Sequence, residues 1–151
     1  MTVDNGQLTV MGIGDLLIPI IFFATLIWAS IQDIRTKEVS DYIHVVIAVT
    51  AFNGYVNWDL LPMLLGAVLT ALPLFIAALI KKDCIGGADI KLMTASGLIL
   101  GAERGVIALI IGLFLGVVCT YVYRKVKKSD QTDSFAFVPY LAVGCMTAYL
   151  L

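Results

Sequence analysis

Charge is scarce in this chain. Only 14% of its residues are Asp, Glu, Lys or Arg, against about 25% in an ordinary soluble domain. Ten basic and eleven acidic residues leave a net charge of −1, which removes the electrostatic case for nucleic acid as a partner. Histidine is scarcer still, with His44 alone. The three cysteines, Cys84, Cys119 and Cys145, are scattered and form no C-x-x-C pair. They neither assemble a structural zinc site nor pair into a disulfide scaffold, and they read as small packing residues. No Lys or Arg precedes the first apolar run, and Asp4 does. A secretory signal needs a positive leading region, so the first apolar segment is expected to stay in the protein. There is no Ser/His/Asp set and no metal-ligand spacing, so neither a metal nor a cofactor is expected.

Apolar surface is what the chain has in excess. It is 60% hydrophobic, with a mean hydropathy of +0.97. A core of 151 residues cannot bury so much, so lipid is the solvent for most of it. The expected fold is all-α: a polytopic membrane protein forming one transmembrane domain over residues 1–151. A membrane helix takes about 20 apolar residues. On that measure span 1 runs from Asp15 to Gln32, span 2 from Tyr42 to Val56 and span 3 from Leu60 to Lys81. Span 5 runs from Gly105 to Tyr123 and span 6 from Phe135 to Leu151. The segment from Ile90 to Gly101 is apolar but short, and is either a short span 4 or a re-entrant piece.

Charge favours six spans with both termini outside. The inner loops then hold Arg35, Lys37, Lys81, Lys82, Lys91, Arg124, Lys125, Lys127 and Lys128, and Arg104 alone lies outside. That is the positive-inside bias. A re-entrant segment would move Arg104 inside but place Arg124 to Lys128 outside, a poorer distribution. Gly101 and Gly105 bracket the outer turn. Gly112 and Gly116 form a G-x-x-x-G, expected to serve packing inside the bundle. Pro19, Pro73 and Pro139 are expected to kink their spans, and Asn53 and Thr70 to bond between helices. His44 is expected to be a packed or interfacial residue.

Two aspartates stand out against this background. Asp33 lies at the end of span 1, in Gln-Asp-Ile-Arg-Thr-Lys-Glu-Val-Ser-Asp. Asp89 opens span 4, in Cys-Ile-Gly-Gly-Ala-Asp-Ile-Lys-Leu. With six spans both fall on the cytoplasmic face at similar depth, so residues far apart in sequence can meet. A carboxylate at a membrane boundary is costly to desolvate and marks a functional site by default. Two neighbouring carboxylates cannot both ionise cheaply, so one keeps its proton. The ionised member then activates a water, and the protonated one polarises a carbonyl and serves the leaving amine. Gly86 and Gly87 allow unusual backbone and close approach of a substrate chain. A place in the first helical turn favours an ionised Asp89, which points to it as the base. Lys91 is available to lipid phosphate or to a site carboxylate, while Glu38, Asp41 and Asp83 read as ordinary boundary charges.

These residues resemble the type IV prepilin peptidases among the GxGD-type membrane aspartic proteases. The Gly-x-Gly-Asp motif, followed by an apolar residue, Lys and Leu, reads here Gly86-Gly87-Ala88-Asp89-Ile90-Lys91-Leu92. The first motif, Asp-x-Arg followed by an apolar residue, Pro and Asn or Asp, reads here Asp33-Ile34-Arg35 and then Val39-Ser40-Asp41. Phe137-Val138-Pro139-Tyr140-Leu141-Ala142-Val143-Gly144 is similar to the family's closing pattern. The resemblance covers nearly the whole chain. It implies cleavage of the leader from prepilins or pilin-like pseudopilins at the cytoplasmic face of the cell membrane, with Asp33 and Asp89 catalytic. Gly86, Gly87, Ala88 and Lys91 would support the site.

Three departures stand beside it. Ala88 replaces a motif glycine and is expected to stiffen the loop. Ser40 replaces the usual proline. The cytoplasmic insertion with a cysteine tetrad, found in members that also N-methylate the new terminus with S-adenosylmethionine, has no counterpart here, so neither methyl transfer nor zinc is implied. The alternative function is a small transporter or proton-relay subunit, which would spread its ionisable groups across the membrane. Here they cluster at one face. A structural assembly subunit docking through the G-x-x-x-G would leave both Asp motifs without a reason.

Overall fold

The computed structural model describes residues 3–4, 7–8, 13–54, 60–80, 86–127 and 136–151. The expected limits at Val56, Lys81 and Phe135 lie outside these residues. Apart from a two-residue antiparallel ladder of β1 (Val3–Asp4) with β2 (Gln7–Leu8), the described chain is helical, as expected. Its helices are α1 (Ile13–Thr36), α2 (Asp41–Gly54), α3 (Leu60–Ile80), α4 (Gly87–Lys127) and α5 (Val138–Leu150). Three segments are long and apolar enough to cross a membrane: Leu17–Thr36, Leu60–Ile80 and Gly87–Tyr123. The first two match a hydrocarbon core of about 30 Å at 1.5 Å per residue. Asp41–Phe52 and Val138–Leu150 are shorter apolar helices.

The third segment is too long for one straight crossing, and it is not straight. Gly101 has φ 73° and ψ −174°, a conformation closed to residues with a Cβ. A Cβ placed on Gly105 would lie 3.8 Å from the Cα of Gly97, whereas eight residues of unbroken helix span about 12 Å. The chain therefore doubles back at Gly101, and α4 consists of two arms, 87–100 and 102–127. These correspond to the two segments that the sequence separates at the same glycine.

Small residues let α3 lie against both arms. Gly66 faces the Gly97 carbonyl and the Gly101 backbone, leaving no room for a side chain. One turn on, the fully buried Thr70 hydroxyl lies 2.8 Å from both the Gly66 and the Met93 carbonyl oxygens and shares its proton between α3 and the first arm. The interhelical role expected of Thr70 is thus observed; the side chain of Asn53 lies outside what is described. The G-x-x-x-G serves the interior as well: Gly112 abuts Leu141 and Gly116 abuts the Phe137 ring, so the second arm packs antiparallel to α5. The same antiparallel sense relates α1 to α5. Phe22 and Phe23 meet Tyr149 at ring-centroid distances of 5.8 and 5.4 Å, while Asp33 meets Val138 at the other end.

Proline positions depart from expectation in one case. Pro19 and Pro73 do lie inside α1 and α3. Pro139 sits in the first turn of α5, where a missing N–H costs nothing and the fixed φ suits the helix. It starts a helix and does not bend one. Helix α1 ends at Thr36; Lys37 after it has a left-handed φ of 56°, and the turn returns the chain so that Ser40 reaches Gln32. Ser40 donates its N–H to Gln32 Oε1 at 3.2 Å and accepts from Gln32 Nε2 through its hydroxyl at 2.7 Å. A proline at 40 would forfeit the first bond, so this departure is matched by a local compensation.

Gly66→Ala forces α3 away from α4 and is expected to cost about 1–3 kcal/mol, read as a lower midpoint of thermal unfolding in detergent. Gly87→Ala is the control, since a Cβ there meets nothing within 4 Å. Equal midpoints for the two variants would contradict the close packing at Gly66.

Candidate active site

Four helix ends meet at one end of the bundle: the close of α1 and the starts of α2, α4 and α5. Asp33 and Asp89 lie among them. Both are buried, 8% and 5% exposed, although Ile34 beside Asp33 is exposed and Ala88 and Ile90 beside Asp89 are only half-buried. Burying a carboxylate demands donors, and main-chain N–H groups of helix starts supply them here.

Asp89 is the third residue of α4. Its Oδ2 accepts from the N–H of Gly86 at 3.1 Å, and its own N–H donates to the Gly86 carbonyl at 3.1 Å. This is the half of a capping box in which an acid in the first turn reaches back to the residue before the helix. It explains the glycine lead-in differently from the expectation. Neither Gly86 nor Gly87 has positive φ; among the described glycines only Gly101 does. What Gly86 provides is closeness: a Cβ there would sit 3.3 Å from Asp89 Oδ2. Ala88 occupies the second helical position, where alanine is favourable, so it does not stiffen a loop as anticipated.

Asp33 is capped across the fold. Its Oδ2 accepts from the N–H of Val138 at 3.1 Å, a buried bond spanning 105 positions in sequence. Val138 is the first residue of α5, and Pro139 after it has no N–H to compete. Each aspartate thus faces the positive end of a helix dipole. The dipole reasoning that singled out Asp89 as the base applies equally to Asp33 and no longer separates them. The two aspartates lie at the same end of the bundle, where α1 and α4 are linked through α2 and α5.

Lys91 does not turn to either. It pairs with Asp41 Oδ1 at 2.7 Å, both side chains being exposed, and joins the start of α2 to the first arm of α4. The ammonium holds the Asp41 carboxyl below the usual carboxylate range. Asp41 is therefore more than the ordinary boundary charge it was read as. The Val138 N–H is the group that sequence reading missed. A main-chain donor leaves no mark of its own in a sequence; Pro139, which fixes the helix start, was the available signal.

Comparison with known proteins adds a family. The sequence profile described as the type IV leader peptidase family matches residues 20–121, a stretch that includes both aspartates. Over 63 residues the chain is 33% identical to a prepilin leader peptidase/N-methyltransferase of Pectobacterium carotovorum subsp. carotovorum. That alignment takes in 42% of this chain and 23% of the relative, so the chain spans about a quarter of the relative's length. No solved structure matches the chain.

The cap separates the structural role of Asp33 from any chemical one. Asp33→Asn keeps an oxygen for the Val138 N–H and is expected to unfold within about 0.5 kcal/mol of wild type, whereas Asp33→Ala loses the cap and about 1–2 kcal/mol. Denaturation of the purified variants in detergent checks this; equal losses would show that the bond to α5 contributes nothing.

Proposed function

The chain belongs to the type IV leader peptidase family, and on that footing we propose that it is a membrane aspartic endopeptidase. Its substrates are type IV prepilins or pilin-like pseudopilins, and the cut removes the leader at the cytoplasmic face of the cell membrane. The observation that carries the reading is the convergence of two buried carboxyls, Asp33 and Asp89, each tied through Oδ2 to a helix start.

In this reading the carboxyls, held in place through Oδ2, carry the chemistry. The pair shares one proton, since two adjacent carboxylates do not both ionise cheaply. The ionised member takes a proton from a water as that water attacks the scissile carbonyl carbon. The protonated member gives its proton to the carbonyl oxygen, and collapse of the tetrahedral species breaks the C–N bond as a proton reaches the leaving amine. Hydrolysis consumes one water and needs neither metal nor cofactor. Gly86, Gly87 and Ala88 hold Asp89 in register, and Lys91 pairs with Asp41 at the start of α2.

The proposed topology has six crossings with both termini outside, the two arms of α4 counting separately. The turn at Gly101 then lies on the outer face and the acids on the inner one. A single transmembrane peptidase domain over residues 1–151 suffices for this chemistry. The methyl transfer in the name of the Pectobacterium protein is not part of the proposal, because the sequence carries no cysteine-tetrad insertion. The described acids at the site gather at one end of the bundle, which supports peptide hydrolysis over a proton relay across the membrane.

The test is co-expression with a panel of prepilins, comparing wild type with Asp33→Asn and Asp89→Asn. Leader removal is read by gel shift and the cleavage position by mass spectrometry. The expected result is cutting by wild type and a loss of about 10³-fold or more in each variant at unchanged membrane levels, as for removal of an essential acid or base. Cutting retained in either variant would overturn that residue's assignment. A wild type that cuts no member of the panel would overturn the peptidase reading.

A further inference from the structure

One buried polar side chain has no part in the structure described so far. His44 is 8% exposed, and neither ring nitrogen has a hydrogen-bond partner among the described residues. An unsatisfied buried polar group costs about 1–3 kcal/mol, and an apolar residue would fill the same place without that cost. Its neighbours on the buried stripe of α2, Ile43, Ile47 and Ala51, are apolar.

The position of His44 is particular. It lies one turn inside α2, and helical side chains lean toward the N-terminus of their helix. That end of α2 is tied on one side to Gln32, the neighbour of Asp33, through Ser40. On the other it is tied through Asp41 to Lys91, two residues after Asp89. The first turn of α2 therefore bridges the two acid-bearing segments, with the imidazole beneath the bridge. The Asp41–Lys91 pair above is exposed, and such pairs contribute about 0–1 kcal/mol, so this pair does little to keep a chain from the end of the α2–α4 seam.

Resting on the peptidase reading, we propose that His44 is a substrate-contacting residue. Its imidazole hydrogen-bonds the main chain of the extended segment beside the scissile bond once that segment enters the α2–α4 seam. The bond is made equally in the ground state and the transition state, so it contributes to KM and not to kcat. A peptide main chain offers both a donor and an acceptor, which suits a ring with both nitrogens open.

The experiment uses the full-length protein in detergent and the prepilin that wild type cuts. His44→Phe is expected to raise the thermal midpoint, to raise KM about tenfold, the worth of one hydrogen bond, and to leave kcat within about twofold. His44→Gln, which returns an amide near the position of Nε2, is expected to bring KM back to within about threefold of wild type. An unchanged KM in His44→Phe would overturn the proposal while leaving Asp33 and Asp89 untouched. So would a lowered thermal midpoint in His44→Phe, since the ring would then be satisfied within the fold. Failure of wild type to cut any prepilin would overturn the peptidase reading, and this contact with it.

Discussion

A carboxylate carried into an apolar bundle must be given hydrogen-bond donors, and this chain has almost no side chains to spare for the task. With 14% charged residues and a single histidine, the donors come from the main chain at helix starts. Asp89 takes the N–H ahead of its own helix, and Asp33 takes the first N–H of α5. Helix starts are where unpaired N–H groups and the positive end of the dipole coincide, so one device satisfies both acids. It also fixes Oδ2 of each acid.

That arrangement requires several helix ends to arrive at the same place, and the small residues bring them there. Gly66 and Gly97 allow α3 to touch the first arm of α4, and Gly101 turns the chain so that the second arm runs back beside it. Gly112 and Gly116 then seat α5 closely enough for Val138 to reach Asp33. The Gly66–Gly97 contact and the Asp33 cap lie in different parts of the bundle, but the second depends on helix spacings set by contacts of the first kind. In lipid, where apolar faces gain little by leaving the solvent, such close backbone approach is the main source of helix association.

Much of this was legible in the sequence. Hydropathy located α1 and α3 within a few residues, and the glycine at 101 marked the reversal inside α4. The two aspartates stood out because charge is expensive in such surroundings, and the motifs around them led to the family. What was not legible were contacts without a side-chain signature. The donor to Asp33 is a main-chain N–H 105 positions away. The partner of Lys91 is Asp41, because the start of α2 folds against α4, and no local pattern announces that. The glycines before Asp89 were expected to adopt special backbone; they prove ordinary in φ, and Gly86 matters through nearness to a carboxylate. Pro139 was misread because the first turn of α5 lies further along the chain than hydropathy placed it.

The central claim is that Asp33 and Asp89 line one site at the end of the bundle where α1, α2, α4 and α5 meet. The most direct test is cross-linking of positions 33 and 89 with a short homobifunctional maleimide, because α1 and α4 do not approach closely enough there for a direct disulfide. It uses the double substitution Asp33→Cys with Asp89→Cys in a chain whose Cys84, Cys119 and Cys145 are replaced by Ser. Reaction in native membranes is followed by mass spectrometry of the linked peptides, with Asp41→Cys and Lys91→Cys as the reference pair across α2 and α4. The expected result is a cross-link at 33–89 as efficient as that at 41–91. A chain that cross-links at 41–91 and stays unlinked at 33–89 would contradict the claim.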